Sequence, residues 1–259
     1  MKTIKLATII ALLMMIFGTP ALRAEEADKP AASADMAFLS KYVWRGYEFS
    51  KDSLILQPSV TVGYKNFSLN LWGNIDTDVD NEDTKDFNEI DMTMAYDYSF
   101  DMLSVGIGYI YYGLEGADSE ELYVSFSLDT LLAPSLTIYR DITQFPGWYI
   151  NAGVSHSFDV SDKVTLDLAG SIGYYSSDDD DFVEYDGDLN PTTDKYKNFH
   201  DCLLSAGLTI PFAEYFTFSP MLAYSLPISS EADDHIAGSS GFSNDSDYFY
   251  GGGTLSISF

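Results

Sequence analysis

The segment Lys163–Tyr175, which reads KVTLDLAGSIGYY, alternates apolar residues with small or polar residues along most of its length. A period of two predicts a β-strand with one apolar face. The same alternation occurs in residues 66–76, 87–100 and 119–131, so the sequence predicts an all-β fold. In the quoted segment the apolar positions are Val164, Leu166, Leu168, Ile172 and Tyr174, and the positions between them include Thr165, Asp167, Ala169, Ser171 and Gly173.

The two faces of these strands differ from those of a water-exposed sheet. The polar faces consist of Ser, Thr, Gly, Asn and Asp instead of a mixture rich in Lys, Glu and Arg. Aromatic residues gather at segment ends, for example at Tyr109, at Trp148 and Tyr149, and at Tyr174 and Tyr175. Apolar faces toward lipid, polar faces toward a lumen and aromatic girdles are typical of transmembrane β-barrels. We therefore favour a membrane barrel over a secreted β-sandwich.

The lengths of the links between segments support the same fold. The links at 65–66, 101, 133–134, 161–162 and 213–214 are tight, whereas those at 77–86, 176–198 and 228–246 are long and acidic. Short and long links alternate, which predicts a transmembrane antiparallel up-and-down β-barrel of about twelve strands with both termini on the periplasmic side. The predicted strands cover residues 35–49, 54–64, 66–76, 87–100, 102–113, 119–131, 135–143, 147–159, 163–175, 199–212, 215–227 and 247–259.

The two ends of the chain carry signals for export and assembly. Residues 1–24 have a basic start, an apolar core and a small-residue exit, which predicts a cleaved signal peptide ending at Ala24 or Ala21. A flexible lead-in is predicted over 25–34 and the outer-membrane barrel over 35–259. The last strand resembles the one by which the barrel-assembly machinery recognises outer-membrane proteins. Its predicted signal consists of Phe249, Leu255, Ile257 and Phe259 on one face.

Composition excludes several classes of protein. The 259 residues include 40 acidic and 13 basic side chains, and the formal net charge is -27, which is the wrong sign for nucleic-acid binding. The single cysteine excludes an internal disulfide. The expected partners are outer-membrane lipid, lipopolysaccharide, the barrel-assembly machinery and small solutes, and no cofactor is expected.

Charged residues on the predicted inner face are the candidate site. If Tyr42 and Trp44 face lipid, Lys41 and Arg45 point into the lumen. Internal charge pairing and solute selection are both consistent with this placement. Because inward acids outnumber inward bases, an open lumen would favour cations. The predicted lumen-lining and charge-pairing residues are Lys41, Arg45, Asp91, Asp97, Glu121, Asp129, Asp167 and Asp201.

The first predicted strand contains the stretch SKYVWRG, Ser40–Gly46, followed by Tyr47-Glu48-Phe49-Ser50 and later by Gln57-Pro58. It resembles the opening motif of the TorF-like porins, a family of Gram-negative outer-membrane proteins of otherwise unknown function. The sequence departs from that family at residues 47–49, where an Ile-Ser-Gln type is more usual, and its external loops are more acidic. The resemblance implies a porin of unknown substrate, and it brings no catalytic or binding residues.

The leading functional hypothesis is a porin-like channel for passive diffusion of small hydrophilic solutes, with cation preference if the pore is open. The alternative is a plugged structural or interaction barrel whose acidic external loops bind ions or a surface partner. A lipid hydrolase using His156 is third, but adjacent strand residues face opposite sides, so we expect no enzyme. No metal site is predicted, because the Asp76-x-Asp78-x-Asp80 stretch has Asn81 where a calcium loop needs glycine and Phe87 where it needs glutamate.

Overall fold

A computed structural model describes residues 29–50, 53–77, 87–114 and 116–259. Its main feature is a closed antiparallel barrel of twelve strands, which confirms the predicted fold class and strand number. In chain order the elements are β1 (Ala31–Leu39), β2 (Val43–Trp44), β3 (Tyr47–Glu48), β4 (Ile55–Tyr64), β5 (Phe67–Asp76), β6 (Glu89–Phe100), β7 (Leu103–Leu114), β8 (Ser119–Leu128), β9 (Ser135–Asp141), β10 (Gly147–Asp159), β11 (Thr165–Ser177), β12 (Val183–Tyr185), β13 (Pro191–Lys195), β14 (Lys197–Pro211), β15 (Phe216–Pro227), α1 (Ser230–Ser239) and β16 (Tyr248–Ser258).

The barrel closes between its first and last strands. β1 pairs with β16 from Ser33 opposite Ser258 to Leu39 opposite Gly252, and it pairs with β4 on its other side. Every other barrel strand also pairs with two neighbours, so no edge is left unpaired. A closed barrel satisfies the backbone hydrogen bonds that lipid cannot satisfy.

The strand alternation separates an outer face from an inner face, as the β11 sequence illustrates. Leu168 is 41% exposed on the outside, whereas its neighbour Asp167 is 7% exposed on the inside. The same contrast distinguishes Leu122 from Glu121 in β8. Because outward apolar side chains surround the barrel, the hydrophobic surface faces the surroundings and the interior is polar.

The first strand differs from its predicted extent of 35–49. β1 begins at Ala31, inside the segment predicted as a flexible lead-in, and ends at Leu39. The chain then forms the short antiparallel pair β2–β3, with Val43 opposite Glu48 and Trp44 opposite Tyr47. Its two turn residues, Arg45 and Gly46, both have positive φ, of 48° and 81°. Two successive positive φ angles make a tight hairpin turn, so the strand cannot continue through this point.

The two ends of the barrel differ in the length of their connections. The end that we call the short-turn end carries the links β4–β5, β6–β7, β8–β9, β10–β11 and β14–β15. The opposite end, the long-loop end, carries β2–β3, the hairpin β12–β13 and the helix α1, which Ser229 caps by accepting a hydrogen bond from the Ala232 amide. In the part of the chain that the structure describes, no helix is long and apolar enough to cross a bilayer. The predicted signal peptide, residues 25–28 of the lead-in and most of the acidic link 77–86 lie outside the described residues.

Candidate functional site in the barrel lumen

A hairpin folds inward from the long-loop end and reaches the centre of the barrel. We call residues 40–50, which include β2 and β3, the plug hairpin. It is held together at its base by two hydrogen bonds, from the Tyr42 amide to Ser50 Oγ at 2.7 Å and from the Phe49 amide to the Tyr42 carbonyl at 2.8 Å. The turn places the Arg45 side chain against the opposite wall of the barrel.

Arg45 forms a bidentate ion pair with Glu121 of β8. Its Nη1 donates to Glu121 Oε1 at 2.7 Å and its Nη2 donates to Oε2 at 2.8 Å. Both side chains are buried, with 7% and 4% of their surfaces exposed. The Tyr112 hydroxyl also donates to Glu121 Oε2 at 2.9 Å. Because both carboxylate oxygens of Glu121 accept hydrogen bonds from the guanidinium, the ion pair fixes the orientation of the Arg45 side chain.

Three aromatic rings surround the same guanidinium. Arg45 Cζ lies 4.3 Å from the ring centroid of Trp44, 4.5 Å from that of Tyr139 and 4.3 Å from that of Tyr149. A cation over the face of an aromatic ring within about 6 Å is attracted by the ring quadrupole. The ion pair and the rings therefore form one buried receptor for a planar cation.

The other side of the plug hairpin is anchored to β14 and the long-loop end. His200 Nε2 donates to the Arg45 carbonyl at 2.9 Å, and His200 Nδ1 accepts from the Tyr196 hydroxyl at 2.8 Å. In α1, His235 Nδ1 donates to the Val183 carbonyl at 2.9 Å and Nε2 accepts from the Tyr47 hydroxyl, also at 2.9 Å. We assign these tautomers because a carbonyl can only accept.

Burial changes the titration of His235. It lies almost completely buried in α1, and desolvation lowers the pKa of His235 to about 4, an effect that the hydrogen bond to Val183 partly opposes. The imidazole is therefore neutral at neutral pH, which agrees with its accepting a hydrogen bond from Tyr47. The base of the hairpin is further held by an ion pair between Lys41 and Glu48, and Ser243 donates to Glu48 at 3.0 Å.

Next to the plug hairpin, the lumen contains a cavity of about 260 Å³. Three acids line it, Asp35, Asp91 and Asp201, together with the two bases Lys41 and Arg45. Both bases already contact carboxylates. One carboxyl oxygen of Asp91, Oδ1, is buried without a hydrogen-bond partner among the described residues. An entering solute therefore meets carboxyl groups and phenol rings and finds both bases already engaged.

The structure places three other predicted residues, Asp201, Asp167 and Asp97, at two levels of the lumen. Asp201 accepts from the Tyr149 hydroxyl at 2.9 Å beside the plug hairpin. Nearer the short-turn end, Asp167 accepts from Ser157 at 2.5 Å and from Thr209 at 2.8 Å. Asp97 also points inward there, because its strand neighbours Tyr96 and Tyr98 are exposed on the outer face.

Two expectations about this site need correction. Asp129 lies beyond the last residue of β8 in an exposed turn, so it is at the rim and does not line the lumen. Tyr42 and Trp44, expected to face lipid, line the inner cavity because the chain leaves the barrel wall after Leu39.

A row of tyrosines on the inner wall is not predicted by the sequence patterns described above. Tyr123, Tyr139, Tyr149 and Tyr175 occupy directly opposed positions on β8 to β11, with successive ring centroids 5.7, 6.1 and 5.9 Å apart. Aromatic residues at segment ends predict membrane girdles, and Tyr149 and Tyr175 are among those residues. Strand parity is the sequence signal that indicates their direction. Adjacent strand residues face opposite sides, so Tyr149 faces inward where its neighbour Trp148 faces outward.

The remaining chemical candidates do not assemble into a site. His156 Nδ1 contacts the Leu131 carbonyl at 2.6 Å on the outer face, whereas the adjacent Ser157 bonds Asp167 inside the barrel. The two residues therefore cannot act together as a base and a nucleophile. Among the described residues, no group of three or more His, Cys, Asp or Glu side chains is arranged to hold a metal ion.

Comparisons with known proteins identify the fold. No protein-family model matches this sequence, and a comparison with curated proteins finds no match, so the resemblance to TorF-like porins stays a prediction. Among solved structures, the KdgM porin is similar with a TM-score of 0.54 and 12% identity, over 88% of this chain and 99% of that one. The NanC porin is similar with a TM-score of 0.53 and 11% identity, over 88% and 98% of the two chains. This chain, a closed barrel of twelve strands, therefore shares its fold with these two porins.

Proposed function

We propose that this protein is an outer-membrane channel through which small hydrophilic solutes diffuse, with a preference for cations. The observation that carries the proposal is the acid-lined cavity of about 260 Å³ inside a closed barrel. Carboxyl groups along a pore attract cations and repel anions. Lys41 and Arg45 each pair with a carboxylate, so these two bases do little to offset the repulsion between the lumenal acids and an entering anion.

The size of the cavity supports a restriction to small solutes. Pockets that hold drug-sized ligands have volumes of roughly 300–1,000 Å³, and this cavity is smaller. The plug hairpin lines this cavity with residues 41–45, so a solute that enters the cavity contacts these side chains.

The membrane setting is part of the same proposal. The short-turn end and both termini face the periplasm, and the apolar outer face contacts outer-membrane lipid and lipopolysaccharide. On β16, Phe249, Leu255 and Ile257 share the outward face, and Phe259 follows as an exposed terminal residue. We propose that these four side chains are recognised by the barrel-assembly machinery.

The test is a single-channel recording of the purified, refolded protein in a planar bilayer with a potassium chloride gradient. We expect discrete current steps and a reversal potential that reports preference for potassium over chloride. Asp35→Asn, which changes one acid of the cavity, should shift the reversal potential toward zero, whereas Asp129→Asn, which changes an exposed rim residue, should leave it unchanged. Anion preference, or silence from a barrel whose folding is shown by heat-modifiable migration on a gel, would contradict the proposal.

A second candidate is a plugged barrel that serves a structural or interaction role. The observation that favours it is the anchoring of the plug hairpin on two sides, by Glu121 and by the His200 and His235 hydrogen bonds. Under this function the wild-type barrel is silent, and Glu121→Gln, which loosens the hairpin, produces current. Equal currents from both proteins would exclude the plugged function.

A further inference from the structure

The receptor for the Arg45 guanidinium is built almost entirely from the barrel wall. Glu121 belongs to β8, and Tyr112, Tyr139 and Tyr149 belong to β7, β9 and β10, which are consecutive strands of the barrel. Hydrogen bonds to other wall strands, to β8 next to β7 and to β14 two places from β10, orient two of these side chains. Tyr112 donates to Glu121, and Tyr149 donates to Asp201. Because paired strands position these groups, the receptor does not need the plug hairpin to keep its shape.

We infer that this wall is a binding site for the guanidinium group of a solute, and that Arg45 occupies it in cis. The site offers two carboxylate oxygens, at 2.7 and 2.8 Å from the two terminal nitrogens, and two phenol rings whose centroids lie 4.5 and 4.3 Å from the guanidinium carbon. A guanidinium uses both features at once, because it is a planar fork of donors that also stacks on aromatic rings. An ammonium ion is a compact point charge and can match only one of them.

The ligand class follows from the size and charge of the site. The adjoining cavity of about 260 Å³ has room for a short alkyl substituent on the guanidinium. Its acids Asp35, Asp91 and Asp201 disfavour a ligand that carries a carboxylate near the guanidinium. We therefore assign the site to small alkylguanidinium monocations.

In the wild-type protein the ligand must compete with Arg45. The plug hairpin is tethered to the wall at both of its ends, so Arg45 is present at an effective concentration of about millimolar or higher. A free guanidinium binds only when the hairpin withdraws, and its apparent affinity falls in proportion to the withdrawn fraction. Removal of the Arg45 side chain should therefore unmask the site.

The experiment measures binding of ethylguanidinium by isothermal titration calorimetry to the refolded barrel in detergent. We expect Arg45→Ala to bind at least about tenfold more tightly than the wild type, and ethylammonium to bind Arg45→Ala about tenfold more weakly than ethylguanidinium. Adding Glu121→Gln to Arg45→Ala should reduce the affinity by at least about tenfold, because the carboxylate is lost. Adding Glu120→Gln, the same change at the neighbouring position on the opposite face, should not.

Three results would overturn the inference: equal affinities of Arg45→Ala for the two cations, no binding by this variant, or no effect of Glu121→Gln on its affinity. If Arg45→Ala refolds only with ethylguanidinium present, that selective rescue supports the site. If it does not refold with either cation, Arg45→Lys is titrated instead. The lysine side chain is shorter and its ammonium cannot pair with both carboxylate oxygens of Glu121 as the guanidinium does. That variant should still bind ethylguanidinium more tightly than ethylammonium, and equal affinities would again overturn the inference. Binding in detergent does not require conduction, so a barrel that is silent in a bilayer would contradict the channel without affecting this test.

Discussion

Replacing Glu121 by glutamine removes the carboxylate that pairs with Arg45 while preserving the shape of the side chain. Both partners are buried, with 7% and 4% of their surfaces exposed. Removing one partner of a buried ion pair costs about 3–5 kcal/mol, because the other charge is left uncompensated. The glutamine oxygen still accepts one of the two hydrogen bonds, so we expect the lower end, about 3 kcal/mol.

This free energy should appear mainly as release of the plug hairpin, since Arg45 can return to water when the hairpin withdraws. Each 1.4 kcal/mol is a tenfold change, so about 3 kcal/mol raises the withdrawn population roughly 10²-fold. Trypsin reports that population directly, because Arg45 itself is a cleavage site that the folded barrel shields. When opening is fast relative to cleavage, the cleavage rate follows the open population. The expected result is a roughly 10²-fold faster cut after Arg45 in Glu121→Gln.

Two controls accompany this measurement. Cleavage after Lys163, which lies exposed in a turn at the short-turn end, should proceed equally in all variants. Glu120→Gln removes a charge from the adjacent residue of β8 without touching Arg45, so its cleavage should match the wild type. A rate at Arg45 that is unchanged in Glu121→Gln would refute the reasoning, because it would mean that the ion pair does not hold the hairpin in the lumen.

Three further outcomes are expected. Because burial lowers the pKa of His235 to about 4 and an unfolded histidine titrates near 6.5, the unfolded state binds the extra proton between these values. The contribution of His235 to the free energy of unfolding is complete above about pH 6.5, and up to about 3 kcal/mol is lost as the pH falls toward 4. His235→Gln should therefore make the free energy of unfolding, measured with urea, less dependent on pH over this range. An equally steep pH profile in the variant would contradict the assignment. Gly252→Ala should block refolding, judged by heat-modifiable migration, because a Cβ there would overlap the Phe38 carbonyl at the β1–β16 seam, whereas Gly187→Ala, with nothing within 4 Å, should refold normally. Asp167→Ala should reduce the free energy of unfolding by about 1–3 kcal/mol, since the hydroxyls of Ser157 and Thr209 lose their acceptor; equal urea midpoints for variant and wild type would show that water replaces it.

Much of the barrel could be read from neighbouring residues alone. A strand alternates its side chains between two faces, so parity places Asp91, Glu121 and Asp167 on the inner wall without any knowledge of their partners. Link lengths alternate for an equally local reason, because each strand reverses direction at its end. The strand number and most strand positions followed from these two regularities, and the structure confirms the twelve strands.

The plug hairpin could not be read in this way. Residues 40–49 continue the alternation of β1, and parity there predicted a longer strand. The interruption comes from positive φ at Arg45 and Gly46, and it is stabilised by partners far along the chain. Arg45 and Glu121 are 76 residues apart, and Tyr47 and His235 are 188 residues apart. The residues next to Arg45 and Tyr47 in the sequence do not indicate which distant residues these side chains contact.

The sequence by itself determined the class of fold, the two faces of the wall and the acidic character of the lumen, because all three depend on residue type and on a period of two. The tertiary structure alone decided that Glu121, rather than another inward acid, receives Arg45, and that the inward rings of Tyr139 and Tyr149 lie against its guanidinium. Closing the barrel sets the registers that bring consecutive strands together, and only then do separate side chains form one site.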